Sequence, residues 1–491
     1  MRTTARSVAA VAVLLAAAIA FAAPASAATC TFDAATHIAT VDLPSGDSAV
    51  IARTGDAITV DAVPCAEATV NNTDTIVVNS SGTPAELVID LSGGPFEPGA
   101  TAEDDEDPEI EFTVNLTGGL LRIRGSSGDD HIVSGANGIN LNAAETNADV
   151  DVTIVGSPEL AMDGAAGDDI LSIGGGSGTG AAGRAATLLG QEGDDHLLGG
   201  ASGSVLDGGV GTDEADYSGA TQLTLANLAS GSVEHQGGGL DDLIAIEDLT
   251  GSPGDDGIRG DAADNTLRGG AGNDAIAGAA GNDTIDGGGG NDTLDLSDAS
   301  KVTVDLAAGS ATGEGSDDVE GIENVLGSPG NDEITGDGAA NVLAGAAGND
   351  TIDGGAGDDT LVGGDGKDTV SFASSSKAVT VNLNKGNAKG DGADTLTGFE
   401  HVEGSRKADE IRGDAKANHL DGAGGVDRIS GGNGADDLRG SDGNDLLFGE
   451  RGTDDLEGND GRDQLDGGDA KDRCVGGPDP DSFVLCETIK A

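Results

Sequence analysis

The last third of the chain carries aspartate at a fixed spacing of nine residues. From Gly404 to Val484, glycine opens each of nine nonapeptides, aspartate fills the sixth place in eight of them, and the eighth place is always apolar. The frames are GSRKADEIR, GDAKANHLD, GAGGVDRIS, GGNGADDLR, GSDGNDLLF, GERGTDDLE, GNDGRDQLD, GGDAKDRCV and GGPDPDSFV. Carboxylates repeated in phase are ligands for a hard cation, and Ca²⁺ accepts about six to eight oxygens in a flexible geometry. The pattern therefore predicts a row of sites for a hard cation such as Ca²⁺.

The same spacing predicts the backbone that would hold these carboxylates. One apolar residue between two variable positions makes a strand of about three residues with one inward side chain. The Gly-, Asn- and Asp-rich residues before it favour tight turns. Two such strands complete a coil of about 18 residues that stacks at roughly 4.8 Å, so Asp427 is expected near Asp445 and Asp436 near Asp454. Carboxylates at that separation repel each other unless a cation lies between them.

These frames resemble the RTX (repeats-in-toxin, haemolysin-type) calcium-binding repeats, whose motif is G-G-x-G-x-D-x-U-x with U apolar. The resemblance implies an all-β fold, a parallel β-roll or β-solenoid, with several Ca²⁺ ions held between adjacent turns. It also implies that the ligands are the sixth-place aspartate and backbone carbonyl groups of the glycine-rich turn.

The motif recurs in blocks that open, at nearly equal intervals along the chain, at Gly251, Gly327 and Gly404. The sixth-place aspartates of these blocks are the predicted metal ligands: Asp256, Asp274, Asp283, Asp292, Asp332, Asp350, Asp359, Asp368, Asp409, Asp427, Asp436, Asp445, Asp454, Asp463 and Asp472. Pairing alternate frames gives a ceiling on the order of a dozen ions, and loose carbonyl coordination favours Ca²⁺ over Mg²⁺.

Other frames depart from the motif. In the second frame of each block the sixth place is Asn, a neutral oxygen that predicts a weaker ligand or none: Asn265, Asn341 and Asn418. Between 120 and 250 the repeats are degenerate, with weak candidate ligands at Asp130, Asp169, Asp195 and Asp213. Each block follows a spacer with TVDL-type alternation, which indicates half-buried strands. We expect the spacers to continue the solenoid as wider coils.

The beginning of the chain has a different character. Residues 1–27 have Arg2 and Arg6, then an apolar run and an Ala-Ser-Ala site, which predicts a removable signal peptide and export. Residues 28–119 lack nonapeptides and read as a small β-rich region in which Cys30 and Cys65 are expected to pair in an oxidising compartment. The acidic run at 103–107 is read as a solvated loop.

The repeat-bearing domain is predicted at 251–484, with two internal spacers, followed by a tail at 485–491. A disulfide between Cys474 and Cys486 is expected to cap the last coil, since it would close a short loop at the end of the roll.

Composition limits the partners. The net charge is −64, with 85 Gly and 2% aromatic residues, which disfavours nucleic acid and anionic membranes and favours cations. No later segment is apolar enough for membrane insertion. The chain has no G-x-S-x-G or H-E-x-x-H motif, so it is not expected to be an enzyme. The leading prediction is a secreted calcium-binding repeat protein that folds on binding Ca²⁺. The alternatives are a cell-surface adhesin or structural protein with a cell-envelope partner and, third, a polysaccharide-modifying enzyme on a solenoid scaffold.

Overall fold

The computed structural model describes residues 28–96, 110–141, 150–175, 184–200, 203–220 and 222–490. The predicted signal peptide at 1–27 and the acidic run at 103–107 lie outside the described residues. The chain divides into two compact units, 1–121 with 155–159, and 122–154 with 160–491. Within the described residues there is no α-helix, and a single 3-10 turn spans Leu383–Lys385. The predicted all-β class is confirmed.

The first unit is a small stack of strands around an apolar core. Its strands are Thr29–Asp33, Ile38–Leu43, Ser48–Thr54, Ala57–Val60, Val63–Thr69, Thr75–Ser80, Glu86–Asp90 and Glu111–Leu116, and Leu120–Arg124 begins at its end. Alternate residues point inward, because successive side chains of a strand lie on opposite faces. Cys30 and Cys65 form a disulfide, as the sequence predicted. Among the described residues of this unit, no aspartate or glutamate is buried.

The second unit consists of strands that alternate between two predominantly parallel sheets. Sheet 1 contains His131–Ser134, Ile139–Asn140, Val152–Gly156, Ile170–Ser172, His196–Leu198, Glu214–Asp216, Asp248–Thr250, Thr266–Ala271, Thr284–Gly289, Thr303–Asp305, Ser310–Thr312, Ser316–Glu320, Glu333–Thr335, Thr351–Asp353, Thr369–Ser371, His401–Glu403, His419–Asp421, Gly424–Gly425, Asp437–Gly443, Asp455–Asp460, Arg473–Val475 and Thr488–Lys490. Sheet 2 contains Glu159–Ala166, Thr187–Glu192, Val205–Val210, Leu223–Asn227, Ser232–His235, Leu240–Ile244, Gly257–Arg259, Ala275–Ala277, Thr293–Asp295, Asn324–Leu326, Val342–Ala347, Thr360–Asp365, Thr380–Asn382, Asn387–Lys389, Ala393–Thr397, Glu410–Arg412, Arg428–Gly434, Leu446–Gly452, Gln464–Asp466 and Ser482–Val484.

The register of these strands confirms that one coil consists of two frames. Ile429 pairs with Leu447, and Leu447 pairs with Leu465, so each apolar eighth place stacks on the one two frames later. These side chains form one buried column per sheet: Ile411, Leu420, Ile429, Leu438, Leu447, Leu456, Leu465 and Cys474 are at most 1% exposed. Phe483, in the last frame, is half-buried. Cys474 forms the predicted disulfide with Cys486.

The spacers differ from the wider coils that we predicted. In the second spacer, Thr303–Asp305 pairs antiparallel with Ser310–Thr312, which pairs antiparallel with Ser316–Glu320. The outer two strands pair in parallel with repeat strands on either side, so the three strands are inserted into sheet 1. Gly309, at φ +68, lets the chain reverse in a short turn where a coil would have continued. The other two spacers make the same insertion in sheet 2.

Candidate metal centre

The sixth-place aspartates form ladders along the turns of the second unit. The backbone N–H of Asp427 donates to Oδ1 of Asp445 at 2.9 Å, and the N–H of Asp445 donates to Oδ1 of Asp463 at 2.9 Å. On the opposite edge, Asp436 donates in the same way to Asp454 at 2.9 Å, and Asp454 to Asp472 at 2.9 Å. Because one coil consists of two frames, each aspartate lies beside the one two frames later. The structure thus brings together the two aspartate pairs that the spacing predicted.

The second carboxylate oxygen of most of these aspartates is buried without a hydrogen-bond partner. Among the predicted ligands, Oδ2 is in this state in Asp274, Asp283, Asp292, Asp350, Asp368, Asp427, Asp436, Asp445, Asp454, Asp463 and Asp472. The degenerate frames contribute Asp169, Asp195 and Asp213, and the last frame contributes Asp481. All but Asp481 are at most 2% exposed. A buried carboxylate oxygen that accepts no hydrogen bond is strongly destabilising, so these fifteen oxygens indicate that a cation is their partner.

Backbone carbonyl groups face the same space. A Cβ built on Gly422, which opens the frame of Asp427, would lie 2.5 Å from Asp427 Oδ2 and 3.0 Å from the carbonyl oxygen of Gly440. At Gly440 the equivalent distances are 2.5 Å to Asp445 Oδ2 and 2.8 Å to the carbonyl oxygen of Gly458. Glycine at the first place therefore keeps open a cradle lined by one carboxylate oxygen and one carbonyl oxygen of the next coil. Asp359 Oδ2 approaches Gly354 in the same way.

Three predicted ligands have a different environment. Oδ2 of Asp256, Asp332 and Asp409 accepts a hydrogen bond from the backbone N–H of a buried serine four residues earlier, at 2.5, 2.6 and 2.6 Å. The hydroxyl groups of these serines, Ser252, Ser328 and Ser405, donate to the same carboxylates. These carboxylates therefore have donors within the protein.

Acidic residues of the spacers also join the ladders, which the sequence analysis missed. The N–H of Asp283 donates to Oδ1 of Asp317 at 3.1 Å, and that of Asp292 donates to Oε2 of Glu323 at 2.8 Å. The corresponding residues of the other spacers and of the tail are Asp394, Glu247, Glu400 and Glu487. The signal was present in the sequence, because Asp317 and Asp394 hold equivalent places in two successive spacers, as do Glu323 and Glu400.

Burial raises the pKa of Asp427, Asp445 and Asp454, three of the ladder carboxyl groups. The pKa of Asp427 rises to about 7, chiefly because the side chain is removed from water and then because Asp445 and Asp409 lie nearby. The same causes raise the pKa of Asp445 and Asp454 to about 6. Backbone N–H donors oppose these shifts but do not cancel them. Near neutral pH these sites therefore carry a charge that the chain alone does not compensate.

The donor set fits Ca²⁺. Within the described residues, no three His, Cys, Asp or Glu side chains come together as a metal-binding group, so a zinc-type cluster of side chains is not seen there. Each cradle instead offers one carboxylate and backbone carbonyl oxygens, which are hard ligands on a flexible turn and suit the loose coordination of Ca²⁺. When bound, the ion would supply the positive charge that the buried Oδ2 atoms lack.

The close stacking of turns restricts the fourth place to glycine in the best frames. A Cβ on Gly452 would fall on the carbonyl oxygen of Gly434 and 2.6 Å from Asp454 Oδ1, and Gly452 has φ +152. We expect Gly452→Ala to lower the free energy of unfolding in saturating calcium by about 3 kcal/mol or more. Gly338→Ala is the control, because a Cβ there meets no atom within 4 Å, and it should change stability by less than about 0.5 kcal/mol. Denaturant titration measures both, and equal stabilities would contradict the stacking argument.

The comparisons with known proteins agree with this geometry. The RTX calcium-binding nonapeptide repeat model matches residues 186–216, 246–276, 259–294, 317–352, 335–370, 403–438, 421–456, 430–465 and 448–483. No curated protein matches the chain. Among the described residues, no helix has the length and hydropathy needed to cross a membrane. By these matches, the segments matched between residues 186 and 483 are RTX calcium-binding nonapeptide repeats.

Proposed function

We propose that this chain is a secreted calcium-binding protein whose β-roll folds when several Ca²⁺ ions bind between its turns. The observation that carries the proposal is the set of fifteen buried aspartate Oδ2 atoms without a hydrogen-bond partner. Removing a carboxylate from water costs several kcal/mol unless an opposite charge compensates it. A chain that buries so many therefore needs cations to be stable near neutral pH.

Calcium affinity then becomes folding free energy. In the unfolded chain the carboxylates are separated and hydrated, so the sites exist only in the roll, and each bound ion favours the folded state. Sites built from one carboxylate and several carbonyl groups are expected to be weak, in the range of about 10⁻⁴ to 10⁻³ M typical of extracellular modules. Such affinities suit a protein whose β-roll stays unfolded where calcium is scarce and folds where calcium is millimolar.

Export is part of the proposal. The N-terminal sequence has the charge, apolar run and cleavage site of a signal peptide. The two disulfides, Cys30–Cys65 and Cys474–Cys486, suit an oxidising compartment, since disulfides are rare where thiols are kept reduced. We propose a binding and structural role without catalysis, because the buried aspartates of the repeats are members of the hydrogen-bonded ladders. A cell-envelope partner fits the same role.

Far-UV circular dichroism tests calcium-coupled folding. The purified chain is titrated with calcium after chelation, and β-sheet signal should grow cooperatively as calcium reaches roughly 10⁻⁴ to 10⁻³ M. Magnesium at equal concentration is the control and should give a much smaller change, because it requires stricter octahedral geometry. An unchanged β-sheet signal in excess chelator would rule out folding on calcium for the repeat region.

A further inference from the structure

The repeats contain two kinds of turn, which differ in the backbone at the second place of the frame. Among the described residues, sixteen frames have positive φ at the second place, and we call their turns open. The residues at that place are Ala165, Gln191, Gly209, Gly270, Ala279, Gly288, Ala346, Gly355, Gly364, Ala423, Gly432, Ser441, Glu450, Asn459, Gly468 and Gly477. In fifteen of these frames the sixth-place Oδ2 is buried without a partner, and the sixteenth is the frame of Asp359.

Seven other frames in the described part of the chain have closed turns, in which the second residue is not in the positive-φ region and its N–H donates to the sixth-place side chain. The second residues are Ser126, Ser252, Asp261, Ser328, Asp337, Ser405 and Asp414. None of the sixth-place side chains in these closed turns has a buried oxygen without a partner. The backbone conformation at one position therefore separates satisfied carboxylates from unsatisfied ones.

The closed turn of Asp409 shows how its carboxylate is satisfied. Oδ2 accepts the N–H of Ser405 at 2.6 Å, and the Ser405 hydroxyl donates to Oδ1 at 2.8 Å and to Oδ2 at 3.0 Å. Oδ1 also accepts the N–H of Val379 at 2.7 Å. The Ser405 hydroxyl oxygen accepts the N–H of Lys407 at 3.1 Å, which fixes the turn. The carboxylate accepts hydrogen bonds on both oxygens and leaves no free oxygen for an ion.

The second closed frame of each block replaces the carboxylate with an amide. Asn418 Oδ1 accepts the N–H of Asp414 at 2.8 Å, and Asn418 Nδ2 donates to the carbonyl oxygen of Glu400 at 3.3 Å. Asn265 and Asn341 donate in the same way to the carbonyl oxygens of Glu247 and Glu323. The side-chain amide N–H thus lies where a cation would lie beside the carbonyl oxygen. An aspartate at the sixth place of these frames would have no N–H to donate to that carbonyl oxygen.

Residue type alone does not decide the kind of turn. Ser441 also follows an opening glycine, but its φ is +68 and its hydroxyl donates to Asp421 Oδ1 at 2.8 Å, not to its own sixth-place carboxylate. Oδ2 of Asp445, in the same frame, is buried without a partner. Ser405 and Ser441 are therefore a matched pair with the same residue at the same place of the frame and opposite conformations.

We infer that calcium binds only at the open turns. The closed turns are then metal-free joints that divide the roll into four segments of calcium-binding turns. Between the joints the open turns number three, three, three and seven along the chain. The inference rests on the proposed function and sharpens it, because it removes Asp256, Asp332 and Asp409 from the ligand set. It adds Asp169, Asp195 and Asp213, and it adds Asp481 as a ligand at the end of the last block.

Calcium counting on paired variants tests the inference. Asp427→Asn and Asp350→Asn change open turns, and each should bind at least one ion fewer than the unaltered chain. Asp409→Asn and Asp332→Asn change closed turns two frames earlier on the same ladders, and both should bind the unaltered number. Bound calcium is measured by equilibrium dialysis at millimolar free calcium, with circular dichroism to verify folding. Equal losses in the open and closed members of each pair would overturn the inference.

A gain of bound calcium provides a second test that does not depend on a loss of binding. Ser405→Gly removes the hydroxyl donor and permits positive φ, so it should add about one ion, whereas Ser441→Gly should leave the number unchanged. The same number of ions in both serine variants would contradict the role of the closed turn. If the unaltered chain bound no calcium at all, the proposed function would fail and take this inference with it, which is distinct from equal losses among the variants.

Discussion

Removing calcium will abolish amide hydrogen-exchange protection across the second unit while the first unit stays protected. The physical reason is the distribution of buried charge: within the described residues, the buried carboxylates belong to the second unit and none to the first. The first unit has its own apolar core, including Val41, Ile76 and Val114, and its own disulfide. We expect strands such as Leu446–Gly452 to exchange at least about a thousandfold faster in chelator, which corresponds to a loss of about 4 kcal/mol.

The first unit is the internal control for this experiment. Its strand Thr75–Ser80 should exchange at the same rate with and without calcium. Re-addition of calcium should restore protection in the second unit, because the sites reform with the fold. Protection of the repeat strands that persisted in chelator would show that the buried carboxylates are tolerated without a cation.

Acid will partly replace calcium, so lowering the pH of the calcium-free chain from 8 to 5 should increase its β-sheet signal. The pKa of Asp427 rises from 3.8 to about 7 in the fold, and those of Asp445 and Asp454 rise to about 6. Between the unfolded and folded values the folded chain holds more protons than the unfolded chain. The free energy of unfolding is therefore increased by acid and falls as the pH rises through about 6 to 7.

Calcium binding has the opposite pH dependence, because acid weakens it. Protons compete with Ca²⁺ for the same oxygens, so a site that releases one proton should need roughly tenfold more calcium for each pH unit below its pKa. Calcium titrations followed by circular dichroism at pH 8, 6 and 5 measure this shift. Calcium affinity that did not change with pH, or a calcium-free chain that lost β-sheet signal on acidification, would contradict the raised pKa values.

The repeat period predicted much of the fold and of the ladder because both are local consequences of a single nonapeptide. An apolar residue at each eighth place fixes the buried column, and two frames per coil place Asp427 beside Asp445. The direction of the spacer strands could not be predicted in this way. Alternation such as that of Thr303–Asp305 identifies a strand but not the strand with which it pairs. The short turn at Gly309 makes its pairing with Ser310–Thr312 antiparallel.

The division of the ladder into satisfied and unsatisfied carboxylates was also beyond the sequence. Asp409 and Asp427 occupy the same place of the same motif. The backbone N–H and hydroxyl of Ser405 satisfy Asp409, whereas Ala423 has positive φ and no hydroxyl to donate. Asp317 and Glu323 lie in a spacer without nonapeptide frames, so the repeat period does not identify them, and their equivalence with Asp394 and Glu400 does not show which aspartates they pair with. Conformation at a single turn position and pairing across coils are set by the whole roll and cannot be read from one frame.

The number of calcium ions bound per chain tests the central claim most directly. Equilibrium dialysis of the purified chain at millimolar free calcium should give several ions, up to the sixteen open turns, and magnesium should not displace them at equal concentration. A chain that bound no calcium, or a single ion, would show that the aligned buried acids of this roll do not form the sites that their geometry implies.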